Sequence, residues 1–147
     1  HKEALKFRIG LSGTYWDRIP EYTIKVNDEL KAEGLIASPS GTIEYVEFTA
    51  DVIEDQAHCL IIRLENKLDT DTVQSKDCKT ILKDMLINIH SIEIDGTDLG
   101  NLIWSKSIYI SDNPEHPVLY NCVNLGWTGS YKLAFTSPFH LWVLENM

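Results

Sequence analysis

The side chains best suited to chemistry in this sequence are carboxylates near the middle of the chain. Asp69 and Asp71 lie within the polar segment 68–79, and from Asp51 to Asp98 there are eleven Asp or Glu against five Lys or Arg. Clustered carboxylates are the oxygen ligands that hard cations prefer. The acidic excess therefore indicates either a solvated face or a cation site, and a D-x-D pair alone does not decide between them.

A second group of candidates is aromatic. Tyr15 and Trp16 lie on a loop between a glycine and a proline, and Trp127 lies between two glycines. A ring held on such a loop can present its face to a pyranose or to a partner protein, whereas a core position is the common alternative for tryptophan. Trp104 and Trp142 lie in strand-like runs, and we expect both in the core.

Catalysis has little support in the sequence. Residues 10–14 read GLSGT and so miss the G-x-S-x-G nucleophile elbow. The five histidines form no H-E-x-x-H motif, and no phosphate-binding loop occurs. We therefore predict a protein that is not an enzyme, although a carboxylate pair for glycoside hydrolysis is defined by spacing that a sequence does not give.

Composition limits the partners and the location. A net charge of −9 argues against nucleic acid, which is bound through clusters of Lys and Arg. No apolar run approaches the length of a membrane helix, and the first residues do not resemble a signal peptide. Cys59, Cys78 and Cys122 match no zinc motif, which favours free thiols made in a reducing cell over one disulfide with a leftover thiol.

The pattern of apolar residues predicts many short strands. Alternation with period two runs through 5–11, 22–26 and 46–52, and the more apolar 59–64 is predicted to be a central strand. Alternation near the end of the chain predicts closing strands around 131–135 and 139–143. Together these segments predict one all-β domain over 1–147, a β-sandwich or jelly roll with at most one short helix.

One predicted strand contains a break in its alternation. Apolar residues of 85–89 keep one phase and those of 92–94 keep the other, so the phase slips near His90 and Ser91. Such a slip is typical of a β-bulge. We expect a short helix or turn over 81–84 and then a bulged strand over 85–95.

Four segments carry a resemblance to a known family. The span of about 7–96 resembles the calcium-dependent xylan-binding type of carbohydrate-binding module, through residues 22–28 (YTIKVND), 47–50 (EFTA), 58–66 (HCLIIRLEN) and 92–96 (IEIDG). The resemblance implies a jelly roll with a loop-lined Ca²⁺ that takes sugar hydroxyls as ligands. The whole chain, including 121–127 and 141–146, is also similar to uncharacterised proteins of marine bacteriophages.

Carried over residue by residue, the resemblance implies a site. The implied calcium ligands are Asn66, Asp69, Asp71 and Asp84. The implied platforms for a sugar ring are Tyr15, Trp16 and Trp127. Asp84 has a second interpretation as the cap of a turn or helix. The expected function is non-catalytic, Ca²⁺-assisted glycan binding, with a module-like part over about 5–99 and strands of 100–147 completing the sheets.

The resemblance to phage proteins supports an alternative function. The chain is then a structural protein of a virion, such as a capsid decoration, tail or fibre component, in which the fold packs between subunits. The expected partners are a glycan or polysaccharide, other virion proteins or a second copy of the chain. The expected location is the virion or the host cytoplasm.

Overall fold

Two antiparallel sheets pack face to face in this protein. The computed structural model describes every residue from His1 to Met147. The strands are β1 (Lys2–Thr14), β2 (Glu21–Val26), β3 (Glu29–Leu35), β4 (Glu44–Ile53), β5 (Ala57–Leu64), β6 (Val73–Gln74), β7 (Ile81–Lys83), β8 (Leu86–Ile94), β9 (Thr97–Asp98), β10 (Ser107–Ser111), β11 (Leu119–Tyr120), β12 (Asn124–Leu125) and β13 (Gly129–Thr136). The helical segments are a 3-10 turn (Asp69–Asp71), the single-turn α1 (Leu102–Ser105) and α2 (Phe139–Asn146).

The order of the strands is that of a β-sandwich. The first sheet runs β12-β8-β1-β4 with β9 beside β8, and the second runs β11-β10-β13-β5-β2-β3. β6 and β7 form a separate small hairpin. Strands from the last third of the chain therefore lie in both sheets. The predicted all-β sandwich is confirmed.

The core lies between the two sheets. Inward positions of β1 are fully buried, and the ring of Phe7 lies 4.9 Å from that of Phe48 on the neighbouring strand. Phe7 also meets Phe135 of the opposite sheet, at 6.3 Å between ring centres. Burial of such side chains is the main favourable contribution to folding, at about 2 kcal/mol for each large apolar side chain.

The predicted central strand and the predicted bulge are both present. β5 lies between β13 and β2, although Ile61 on its outer face is only half-buried. In the pairing of β1 with β8, Gly10 is opposite Ser91 and Leu11 is opposite Ile89. His90 is the extra residue, so the bulge keeps the isoleucines on both sides of it in the core and leaves His90 exposed.

Two predicted elements are wrong. Residues 81–83 are strand β7 rather than a helix or turn, because they pair with β6. The predicted strand over 139–143 is the start of α2, in which Phe139 and Trp142 are buried and Val143 is half-buried. That spacing follows a helical period, and the N–H of Phe139 donates to the Glu3 carboxylate at 3.0 Å.

The prediction for Trp104 is also wrong, whereas Trp142 is buried as expected. Trp104 lies on α1 and is exposed, because α1 interrupts the run predicted to continue as a strand into β10. All three cysteines are free thiols. Neither helix is long and apolar enough to cross a membrane.

Candidate functional site

All seven residues proposed for the site lie at one end of the sandwich. Thr14 at the end of β1 pairs with Leu86 at the start of β8, and Leu64 at the end of β5 pairs with Gly129 at the start of β13. The connections that leave these strands therefore meet. We call this region the loop end, and it consists of residues 15–20, 65–85, 112–118 and 126–128.

The side chain of Asn66 forms hydrogen bonds that link two of these connections. Its Oδ1 accepts a hydrogen bond from the N–H of Glu21 at 2.8 Å, and its Nδ2 donates to the carbonyl of Ile19 at 2.9 Å. The side chain thus fixes the start of β2 against the end of β5. Both bonds support the loop end rather than point to an external ligand.

Asp71 is buried and joins the first loop to the acidic segment. Its carboxylate accepts from the Arg18 guanidinium at 2.6 Å and from the N–H of Leu68 at 2.7 Å. The indole N–H of Trp16 donates to the Asp71 carbonyl at 2.9 Å. Two predicted residues, Trp16 and Asp71, are therefore in direct contact.

Asp84 is neutralised by a lysine that the sequence did not point to. The side chain of Lys67 is only 8% exposed, and its ammonium donates to Oδ1 of Asp84 at 2.8 Å. The same ammonium donates to the carbonyls of Met85 at 2.8 Å and Gly126 at 2.9 Å. Burial raises the pKa of Asp84, but the hydrogen bonds that its carboxylate accepts, led by that from Lys67, outweigh burial and place this pKa below its usual value.

These contacts bear on the proposed calcium ligands. No three His, Cys, Asp or Glu side chains lie together in a group that could hold a metal ion. Asp71 and Asp84 each face a cationic side chain, and Asn66 is bonded to backbone, so only Asp69 has no protein partner. As placed, the four do not fit a single Ca²⁺, which needs six to eight converging oxygens. Binding of Ca²⁺ by this chain is implied by the family resemblance alone.

A cleft at the loop end brings Asp69 and Trp127 together. It has a volume of about 350 Å³. Its lining consists of Lys67, Asp69, Ser111, Asp112, Asn113, His116, Trp127 and Thr128. The lining consists mostly of hydrogen-bonding side chains around one indole, and such polar groups can fix the orientation of a small polar ligand.

The indole of Trp127 is held in a stack of rings. It lies nearly parallel to the His116 imidazole at 4.2 Å and to the Tyr109 ring at 6.1 Å. The Tyr109 hydroxyl donates to the backbone carbonyl of Trp127 and accepts from the backbone N–H of the same residue. Burial raises the pKa of this phenol, so it stays protonated and keeps the donor that fixes the loop.

Two further contacts make the cleft rigid. Arg63 donates to both carboxylate oxygens of Asp112, at 2.9 and 2.6 Å, and this contact holds the pKa of Asp112 below its usual value. Thr128 accepts from the N–H of Lys67 at 2.9 Å and donates to its carbonyl at 3.1 Å. A bidentate ion pair and a reciprocal pair of hydrogen bonds each fix orientation as well as distance.

The remaining two aromatic candidates differ in availability. The Tyr15 hydroxyl donates to the carbonyl of Ser38 at 2.9 Å, and its ring is half-buried. Trp16 is exposed, with the ammonium of Lys83 4.7 Å from its ring centre. Trp16 is thus the most accessible aromatic of the loop end.

A serine and a histidine lie in hydrogen-bond contact elsewhere. Oγ of Ser12 is 2.7 Å from Nε2 of His90. The hydroxyl is buried, and no carboxylate hydrogen-bonds the imidazole, so the pair lacks the third member that orients a catalytic base. This geometry gives no nucleophile that a substrate can reach.

Sequence reasoning missed Lys67, Arg63 and His116. A lysine or arginine within an acidic stretch is ordinarily predicted to be solvated, and only the tertiary structure shows that Lys67 is buried among oxygens. His116 had no motif around it. Its position on Trp127 follows from the pairing of β10 with β13, which brings the 112–118 and 126–128 connections together.

The fold has a counterpart among solved structures. A structure of vCBM60 in complex with galactobiose superposes with a TM-score of 0.53 at 8% sequence identity, covering 87% of this chain and 96% of that one. The likeness shows that the chain has the fold of a carbohydrate-binding module. No family model matches the chain, and no curated protein matches its sequence.

Proposed function

We propose that this chain is a non-catalytic carbohydrate-binding protein that holds a neutral saccharide in the cleft at the loop end. The observation that carries the proposal is the position of Trp127 and Asp69 in one rigid, polar cleft. The fold is shared with a module whose structure contains galactobiose. Saccharides offer hydroxyls and faces of C–H groups, and a cleft with hydrogen-bonding side chains and aromatic rings complements both.

Each part of the cleft has a proposed role. Asp69, whose carboxylate has no protein partner, accepts hydrogen bonds from sugar hydroxyls, and the side chain of Asn113 adds a polar contact. The stacked rings of Trp127 and His116 supply apolar surface. Trp16, exposed at the same end, can extend the contact to a second sugar unit.

The proposed saccharide binding does not require calcium. For Ca²⁺ to bind at Asp71 and Asp84, it would have to replace the contacts of Arg18 and Lys67. Those two side chains already supply positive charge beside the carboxylates. The loop end can therefore be organised by the chain's own cations.

Isothermal titration calorimetry with galactobiose and other neutral oligosaccharides tests the proposal. Asp69→Ala is expected to weaken binding by about tenfold, the effect of losing a hydrogen bond to a charged acceptor. Asp28→Ala is the matched control, since it also removes an exposed carboxylate, from the turn at the opposite end. Absence of binding in the wild type, or equal weakening by both variants, would contradict the proposal.

A second candidate is assembly with other subunits, as in a structural component of a phage particle. It is favoured by exposed apolar side chains on α2, where Leu144 is 75% exposed and Leu141 and Met147 are also exposed. Such a patch can mark a protein interface. Light scattering should then show an oligomer that Leu144→Ser dissociates, whereas a wild-type monomer at high concentration would exclude self-assembly.

A further inference from the structure

A second cleft lies away from the loop end, on the outer face of the first sheet beside α1. It has a volume of about 500 Å³. Its lining consists of Asn88, Ile89, His90, Gly100, Asn101, Ile103, Trp104, Val123 and Asn124. We call it the Trp104 cleft. It shares no lining residue with the cleft at the loop end.

The lining has an unusual charge for this protein. The chain carries 22 Asp or Glu and 13 Lys or Arg, yet none of these lines the Trp104 cleft. The polar side-chain groups are three asparagine amides, one imidazole and the indole N–H of Trp104. An uncharged ligand with both donors and acceptors matches amides, which both donate and accept, whereas a charged ligand would find no counter-ion.

Two of the amides are placed by the sheet, and that of Asn101 lies at the start of α1. Asn88 and Asn124 are directly opposite each other on β8 and β12. The side chains of Asn101 and Asn124 are exposed and form no hydrogen bond within the protein. Nδ2 of Asn88 donates to the hydroxyls of Ser12 at 3.2 Å and Thr14 at 3.0 Å, which leaves its Oδ1 as an acceptor.

The bulge in β8 places His90 beside these amides. His90 is the unpaired residue of the bulge, and its Nε2 is 2.7 Å from Oγ of Ser12. Ser12 is 1% exposed, and its buried hydroxyl contacts both the Asn88 amide and the His90 imidazole from the side away from solvent. A buried hydroxyl that fixes two ligand-facing side chains is a preorganised arrangement, which lowers the entropy lost on binding.

Trp104 completes the cleft with an accessible ring. It is 45% exposed, and unlike Trp127 its indole stacks on no other ring of the protein. Its backbone is held by Nδ2 of Asn121, which donates to the Trp104 carbonyl at 3.2 Å. An exposed indole beside free amides offers the two contacts that a sugar ring uses, a stacking face and hydrogen-bond partners.

We propose that the Trp104 cleft is a second binding site, for a neutral saccharide, independent of the loop end. Asn88, Asn101 and Asn124 bind ring hydroxyls, and the Trp104 indole stacks on the sugar. Ser12 is a positioning residue. A protein with two such sites would hold a polysaccharide chain more tightly than either site alone, because the second contact is made at high effective concentration.

Nuclear magnetic resonance separates this site from the loop end. The chain has four tryptophans, whose indole N–H signals can be assigned one by one with Trp→Phe variants. Titration with galactobiose and a set of longer uncharged oligosaccharides at millimolar concentration is expected to shift the Trp104 signal and the side-chain amide signals of Asn88, Asn101 and Asn124. A sugar acid of equal length should bind no more tightly, since no Lys or Arg lines the cleft.

Variants supply the controls. Trp104→Ala should weaken binding at the amides by about tenfold or more, whereas Leu30→Ala, which trims a 46% exposed apolar side chain on β3 of the other sheet, should not. Asn124→Asp keeps the shape of this exposed side chain but removes the amide donor, and it should lower affinity several-fold. Asp69→Ala should leave the Trp104 signals unchanged, so failure at the loop end and failure here are distinguishable. The proposal is overturned if no uncharged saccharide shifts these signals, or if Trp104→Ala leaves the shifts intact.

Discussion

The ammonium of Lys67 lies 2.8 Å from Oδ1 of Asp84 and is almost fully buried at the loop end. It donates its other two hydrogen bonds to the carbonyls of Met85 and Gly126, so three strands or connections meet on one side chain. An ammonium has three donors, and here each has an oxygen partner. Lys67 is therefore the cation around which this end of the sandwich is built.

Replacement of Lys67 should be costly. Lys67→Met keeps the apolar stem but leaves the Asp84 carboxylate without its counter-ion and two carbonyls without a donor, so we expect a loss of about 3 kcal/mol in the free energy of unfolding. Urea unfolding followed by tryptophan fluorescence measures it. Lys76→Met, on an exposed lysine with no ion pair, should change stability by less than about 0.5 kcal/mol. Equal stability of the two variants would refute the role given to Lys67.

Calcium should have little effect on the wild type if Lys67 and Arg18 fill the cation positions beside Asp84 and Asp71. We expect the same Tm in Ca²⁺ and in EDTA. A bound ion at 100 times its Kd would add about 2.7 kcal/mol, which a thermal melt resolves easily. A rise in Tm with Ca²⁺ would support the calcium site implied by the family resemblance and would contradict the present account of Lys67.

The stability should fall in acid. Hydrogen bonds and ion pairs hold the pKa values of Asp84 and Asp112 below those of the unfolded chain, where an aspartate titrates near about 3.9. As the pH drops from about 5 towards 2, the unfolded chain takes up protons first, so the free energy of unfolding decreases. Asp112→Asn removes one of these groups and should flatten that decrease in urea titrations across this range. An unchanged slope would show that the Arg63 contact contributes nothing to it.

The sequence predicted the sandwich because alternation is a local signal that the sheets preserve. Even the bulge at His90 was visible, since the change of phase between Ile89 and Ile92 keeps both in the core. The loop end was also predictable, because the candidate residues lie between predicted strands. Their partners were not, since Arg18 with Asp71 is a contact between residues 53 positions apart that no local pattern encodes.

The Trp104 cleft escaped prediction for a related reason. Asn88 and Asn124 are far apart in sequence and meet only through the pairing of β8 with β12. Trp104 was assigned to the core because its neighbours resemble a strand, and the single turn of α1 is too short to give a periodic signal.

The apolar pattern at the end of the chain is compatible with both a strand and a helix. Phe139, Leu141 and Val143 alternate as in a strand, but Trp142 is buried and Leu141 is exposed on α2. Trp142→Ala should therefore cost about 3 kcal/mol or more, whereas Leu144→Ala should be close to neutral. Thermal unfolding of both variants checks this, and a strand would make both substitutions close to neutral, because in a strand residues 142 and 144 share the outer face.

Gly129 should be intolerant of any side chain. It begins β13 directly after Trp127 and Thr128, and a Cβ at this position would collide with the carbonyl oxygen of Ile110 and approach Cα of Ser111 to 2.9 Å. Both obstacles are backbone of β10, which cannot move without disturbing the pairing that positions the 112–118 connection. Gly129→Ala should therefore lower the free energy of unfolding by about 2 kcal/mol and weaken galactobiose binding at the loop end. Gly34→Ala, on the edge strand β3, is the matched control, because the atoms nearest to its Cβ would belong to the Tyr22 side chain, at 3.3 Å or more. If Gly129→Ala were as stable as the wild type, the close approach of β10 and β13 would not be the constraint that shapes this cleft.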